Sequence, residues 1–234
     1  MPRTARIVIP AVAHHITQRG NNQQDVFFVD DDRVVFLKFL KQQSEKFGMR
    51  IDGYCLMTNH IHIVATPRKE DSLAKTMGRT NLLYTQYVNY MHGRSGHLWQ
   101  NRYFSCPLGP NYFFKALCYV EQNPVRARLC RWPWTYRWSS VQAHIGNLDE
   151  FGLIDKNYWS KQSSGIDWKK ILKEKAENSE FDTFRIYCRT GRPLGTDKFV
   201  SKLEVKLGRR LRPLPVGRPK KKKKVKKSKY KEYK

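Results

Sequence analysis

Two histidines, His60 and His62, stand two residues apart in the run His60-Ile-His-Ile-Val-Ala65. Alternate side chains of a β-strand share a face, so both imidazoles project to one side while Ile61, Ile63 and Ala65 project to the other. Neutral imidazole binds several divalent metals, and a pair on a rigid strand forms half of a metal site. Two ligands are too few for a closed structural site. A third must come from elsewhere, which leaves positions open for a substrate. Taken alone, His-x-His is equally the polar face of an edge strand. The pair Tyr119 and Asn123 shifts the balance, because i and i+4 share one face of a helix and set a phenol beside an amide oxygen. On this reading Asn123 supplies the third ligand, the metal polarises a phosphate oxygen, and Tyr119 attacks phosphorus to give a covalent phosphotyrosine. A phenol with an ordinary pKa of about 10 needs cationic surroundings to act as a nucleophile. The plain alternative for Tyr119 is core packing, the usual fate of most of the 12 tyrosines.

These side chains need a scaffold, and hydropathy patterning supplies one. His14 to Arg19 reads as a short strand running into a polar loop, after which Asp30 to Asp32 are placed to cap a helix ending at Gly48. Val34, Leu37 and Leu40 give that helix one apolar stripe. Met49 to Leu56 and His60 to Ala65, separated by Met57-Thr-Asn59, form an expected antiparallel hairpin. Ser72 is placed to cap a second long helix that ends before Gly93. Leu98 to Phe104 reads as strand. A third helix is expected from Asn111 to Pro124, with Tyr119 in its last turns. Arg131 to Ser140 contains three tryptophans and would close over a core edge. Further on, 168–176 and 198–207 read as short amphipathic helices. The expected divisions are a domain over 1–148, a helical extension over 149–212 and a disordered Lys-rich tail over 213–234.

The 234 residues carry 45 Lys and Arg against 20 Asp and Glu, a formal charge of +25. With 40% hydrophobic and 13% aromatic residues the chain can fill a core, which argues against a wholly disordered basic protein. Such a charge points to a polyanionic partner, most commonly nucleic acid. About half of it is local: residues 209–234 hold fourteen Lys and Arg and one acid, and the remainder is still basic. Five scattered cysteines with no C-x-x-C pair indicate neither a disulfide framework nor a zinc ribbon, and fit a reducing cytosol. No apolar run approaches ~20 residues, so neither a membrane span nor an export signal is expected. Arg19, Asn21, Arg79, Arg102 and Arg126 are candidate DNA contacts flanking the site, each also readable as ordinary surface. Gly217-Arg218-Pro-Lys resembles the Gly-Arg-Pro core that enters narrow A·T-rich minor grooves, with a solvated basic tail as the alternative.

Three stretches carry a more specific signal: Gly53-Tyr-Cys-Leu-Met-Thr-Asn-His-Ile-His-Ile-Val64, Gly96-His-Leu-Trp-Gln-Asn-Arg-Tyr-Phe104 and Tyr119-Val-Glu-Gln-Asn-Pro-Val-Arg-Ala127. Together, over about residues 5–147, the chain resembles the REP-associated tyrosine transposases, relatives of the single-tyrosine HUH transposases. The resemblance implies an α+β fold with a central antiparallel sheet and helices packed on it. It also implies Tyr119 as nucleophile and His60, His62 and Asn123 as ligands of Mg²⁺ or Mn²⁺. The implied activity is cleavage and rejoining of single-stranded or hairpin DNA, including palindromic repeats, through a 5′-phosphotyrosine with release of a 3′-hydroxyl. The covalent bond would conserve the phosphodiester energy, and no nucleotide-binding motif is seen. Thr58 departs from the family, where proline is common before Asn-His. Residues after 150 resemble the extension of longer members, with DNA engagement or dimer contacts as the expected role. A monomer or homodimer acting in the cytoplasm at the nucleoid fits this reading. Two alternatives stand beside it: a DNA- or RNA-binding module that keeps the fold without chemistry, and a structural zinc protein, which the cysteine spacing disfavours.

Overall fold

A computed structural model describes residues 6–174 and 178–213, with side chains placed in the second stretch from Phe184 onward. The tail beyond Pro213, with Arg218 and the expected disorder, lies outside the described residues.

Four antiparallel strands form one sheet: β1 (His14–Arg19), β2 (Met49–Leu56), β3 (His60–Pro67) and β4 (Phe104–Pro107), in the order β2-β3-β1-β4. β3 is therefore an inner strand, paired on both sides. Its register sets His62 opposite Cys55 of β2 and Thr17 of β1, and Thr17 in turn opposite Phe104 of β4. Ile16, Ile61 and Ile63 turn the other way into the core, which α1 (Asp30–Phe47) and α2 (Ser72–Met91) close. α1 stops at Gly48, which adopts φ 66, a left-handed conformation that glycine enters without steric cost. The acidic run at its start does not cap it. Val29 is the N-cap, and Asp32 reaches back from the third position to accept from the backbone N–H of Phe28 (2.7 Å) and Val29 (3.0 Å). Ser72 likewise opens α2 from inside the helix, accepting from Lys69 N–H at 3.0 Å while Asp71 is the N-cap.

Three expectations change. Strand β4 shares only Phe104 with the strand expected over 98–104 and runs on to Pro107, because 98–101 bond the end of β1 and its loop: Asn21 N–H donates to Leu98 O, and Gln100 N–H to Arg19 O. The third helix divides at Gln122 into α3 (Phe113–Glu121) and α4 (Asn123–Arg126). Pro124 has no N–H for the Val120 carbonyl, and the Asn123 amide nitrogen substitutes, donating to Tyr119 O (3.0 Å) and Val120 O (3.2 Å).

The third change lies after α4, where α5 (Val141–His144) precedes the expected boundary at 148 and the extension holds α6 (Lys156–Gln162), α7 (Trp168–Lys173), α8 (Asn178–Thr190) and α9 (Asp197–Leu207). Of these, α5, α6 and α8 were not foreseen as individual helices, and α8 packs on β4 and β1. Trp159, Trp168, Leu172, Phe184 and Leu194 join the same core as the sheet. Buried Glu121 fastens α3 to this region, accepting from Ser140 Oγ (2.6 Å), His144 Nδ1 (2.6 Å) and Trp168 Nε1 (2.7 Å). α9 makes a smaller cluster with Ile7 and Ile9 through Val200 and Leu203. Among the described residues no helix is long and apolar enough to cross a membrane.

Candidate active site

α3 packs on β2 and β3 over the histidine face, and Gly53 permits the close approach: a Cβ there would collide with Leu117 of α3. The helix brings the Tyr119 ring to 5.7 Å from that of His62, which is itself 5.0 Å from His60. His60 donates from Nδ1 to Asn59 Oδ1 (2.7 Å), and Asn59 is anchored through Nδ2 to Gln23 O (3.1 Å). The neutral ring therefore keeps its lone pair on Nε2. Burial, and secondarily Arg19, lowers the His60 pKa to about 4, and burial, followed by the nearness of His60, His15, Arg126 and Arg19, holds that of His62 well below the usual histidine value.

A chain of hydrogen-bonding groups leads away from His62. Its Nδ1 meets His15 Nε2 at 2.9 Å, with the two rings stacked at 5.1 Å, and His15 Nδ1 meets Cys188 Sγ of α8 at 2.8 Å. Separately, the thiol of Cys106 in β4 donates to the Arg192 carbonyl at 3.0 Å. A neutral His15 that donates from Nδ1 to Cys188 Sγ accepts at Nε2 from His62 Nδ1. Burial keeps His15 neutral, with its pKa lowered to about 3, and raises the Cys188 thiol well above the usual range. In that tautomer the lone pair of His62 also resides on Nε2, the arrangement a metal-ligating imidazole requires.

Tyr119 is 6% exposed, with the Phe184 ring of α8 at 4.5 Å and the Arg126 guanidinium 4.1 Å from its ring centre. Arg126 donates to Asn123 Oδ1 at 2.6 Å, and burial lowers its pKa against the opposing pull of the Tyr119 phenol. Asn123 makes no hydrogen bond to either imidazole, although its oxygen has a second lone pair beyond the one given to Arg126. Two preset imidazoles and an amide oxygen suit a divalent cation. Among the described residues no group of three or more His, Cys, Asp or Glu is placed to hold a metal ion.

Arg126 thus lies within the site. Arg19 is opposite His60 in the β1 to β3 register, and Asn21 is exposed in the following turn. Arg102 is exposed just before β4, while exposed Arg79 is on α2, which packs on the opposite face. His15, Asn59, Phe184 and Cys188 were not singled out in the sequence. Only Asn59, adjacent to His60, had a local signal.

An antiparallel sheet with paired histidines on an inner strand and a tyrosine helix packed against them is the layout that the sequence resemblance implies. Residues 9–123, which include His60, His62, Tyr119 and Asn123, match the model of the family described as transposase, IS200 like. A solved REP-associated tyrosine transposase bound to a REP hairpin is similar in fold, with a TM-score of 0.54 at 13% identity over 67% of this chain and 90% of that one. A putative transposase from Deinococcus radiodurans aligns with a TM-score of 0.36 at 14% identity over 55% of this chain and 92% of that one. No curated protein matches the chain. The resemblance read from the three motifs is borne out in family and in fold.

Proposed function

We propose that the protein is a DNA endonuclease and strand transferase that acts on single-stranded or hairpin DNA, including palindromic repeats, through a covalent bond to Tyr119. The proximity of Tyr119 to a pair of neutral, preset imidazoles carries this reading. His60 and His62, through Nε2, and Asn123, through Oδ1, would hold a divalent cation. Mg²⁺ or Mn²⁺ bound there supplies Lewis acidity at a phosphate oxygen. Tyr119 gives up its phenolic proton and attacks phosphorus, forming the phosphotyrosine bond as the bond to the 3′-oxygen breaks and that oxygen leaves as a hydroxyl. The reverse attack by a 3′-hydroxyl rejoins a strand and restores the phenol. Arg126, beside the ring, stabilises phenolate and the developing phosphoryl charge. Asn59 and His15 orient the imidazoles. Cytoplasmic action at the nucleoid, as monomer or homodimer, fits this role.

A specific observation favours a second reading, a DNA-binding module without chemistry: Tyr119 is buried, and the Asn123 amide is engaged by Arg126 and by backbone carbonyls. Incubation with labelled hairpin DNA and Mn²⁺ or Mg²⁺, followed by denaturing gels, separates the two. The catalytic reading expects a covalent adduct that chelator abolishes and Tyr119→Phe removes. An adduct that persists in Tyr119→Phe sinks the nucleophile assignment. Binding with no adduct in the wild type establishes the second reading.

A further inference from the structure

Outside the histidine face, an open cavity of about 440 Å³ runs along the β4 edge of the sheet, between the segment leading into β4, the end of α8 and the residues after α9. Arginines dominate its walls: Arg6, Arg102, Arg189, Arg192, Arg209, Arg210 and Arg212, with no acidic residue among the described lining. Arg212 is paired with the carboxylates of Glu204 and Asp197. Arg102, Arg189 and Arg192 form no ion pair with a described residue, and the first two are exposed. Two features of the fold bring these residues together. Arg6 donates from Nε and Nη2 to the Tyr103 carbonyl (3.1 and 3.0 Å) and stacks 3.7 Å from the Tyr103 ring. Gly191, at φ 67, ends α8 in a left-handed turn against the Ser105 carbonyl, which sets Arg189 and Arg192 beside β4.

Two further features point to a missing ligand. The hydroxyls of Tyr103 and Ser105, residues of the cavity wall that are 6% and 4% exposed, are buried without a hydrogen-bond partner among the described residues. Phe104, which precedes Ser105 and points to the opposite face of β4, is 48% exposed and also borders the cavity. Crowded guanidinium groups match phosphate oxygens, and an exposed aromatic offers a face on which a base stacks. The position is also continuous with the candidate active site. Phe104, Thr17 and His62 are successive partners across three strands, so they share a face and span about 10 Å, two strand spacings.

We propose that this groove binds the phosphodiester backbone of single-stranded DNA, with Phe104 as a stacking platform, and that the extension supplies half of it. The site goes beyond the family-matched segment, since Arg189, Arg192, Arg209 and Arg210 all lie after residue 123. It rests on the reading of the chain as a DNA-acting protein, but it binds whether or not Tyr119 reacts.

The test is fluorescence anisotropy of the full chain with a labelled single-stranded oligonucleotide in chelator, over a range of salt. The triple variant Arg102→Gln, Arg189→Gln, Arg192→Gln is expected to bind at least ~10-fold more weakly, with a log–log salt slope shallower by about 2, at ~0.7 per lost phosphate contact. Phe104→Ala should weaken binding with the slope unchanged. A control triple that removes Lys38, Lys46 and Lys69, exposed on and beside α1 and α2, subtracts the same charge elsewhere. Equal losses in both triples, or none in the groove triple with an unchanged melting temperature, overturn the proposal. So does equal competition by blunt duplex, which assigns the groove to general polyanion binding. A wild type that binds through the groove yet gives no adduct with Mn²⁺ would instead count against the catalysis alone.

Discussion

His62 receives its orientation from a residue 47 positions away, and that residue from one 173 positions away. Removing His15 takes away the acceptor that holds the His62 proton on Nδ1. His15→Asn is therefore expected to lower Mn²⁺ affinity by ~10- to 100-fold, measured by titration against the Mn²⁺ resonance signal. Affinity equal to wild type would show that His62 needs no such partner. The adjacent His14 faces away from the site and has a different consequence. It donates from Nδ1 to Val12 O (2.8 Å) and accepts at Nε2 from Ile9 N–H (3.3 Å), which only the neutral ring can do. Burial lowers its pKa from 6.5 to about 4, so the unfolded chain takes up the proton first. Its contribution to stability is full above pH 6.5 and is lost as pH falls toward about 4, at up to ~1.4 kcal/mol per pH unit. Urea denaturation of His14→Gln across that window should show a shallower loss of stability than wild type. An identical pH profile would remove His14 as the cause.

At the scale of elements, the site depends on how closely α3 approaches β2. Gly53→Ala puts a methyl where Leu117 packs, two residues from Tyr119. The expected cost is about 1–3 kcal/mol, read as a lower melting temperature, and adduct yield should fall with it because the Tyr119 helix is displaced. A melting temperature equal to wild type would mean that the helix absorbs the methyl freely. The break between α3 and α4 also belongs to this scale. Pro124 removes one donor, and the Asn123 side chain restores it, so the residue proposed as a ligand also closes the end of the tyrosine helix. Glu121 completes the arrangement by tying that helix to Ser140, His144 and Trp168.

Across the whole molecule, positive charge is distributed in two parts with different roles. Residues 214–234 carry eleven Lys and Arg against one acid, and the groove beside β4 concentrates arginines on folded structure. Deleting 214–234 should weaken DNA binding and flatten its salt dependence while the Tyr119 adduct still forms. Loss of the adduct on deletion would give the tail a part in catalysis. The extension is equally part of the whole: its tryptophans and Phe184 share the sheet's core, and Cys188 ends the chain of bonds that begins at His62.

The amino-acid order alone determined the features that depend on short-range periodicity and composition. Alternation placed His60 and His62 on one face of a strand, the Met57-Thr-Asn59 turn made a hairpin, helical spacing carried Tyr119 near Asn123, and net charge indicated a polyanion. Motif resemblance added a transposase family, in agreement with the family-model match over 9–123. Local patterning failed where a donor or a partner strand intervened: at Pro124, at the stretch 98–103, and at the acidic start of α1. Tertiary structure alone decided that His15 lies beside His62, that α8 brings Phe184 and Cys188 over Tyr119 and His15, and that arginines from the chain's two ends meet along β4. The physical reason is that strand order and the docking of distant helices are set by burial summed over the whole core, which no short window of sequence contains.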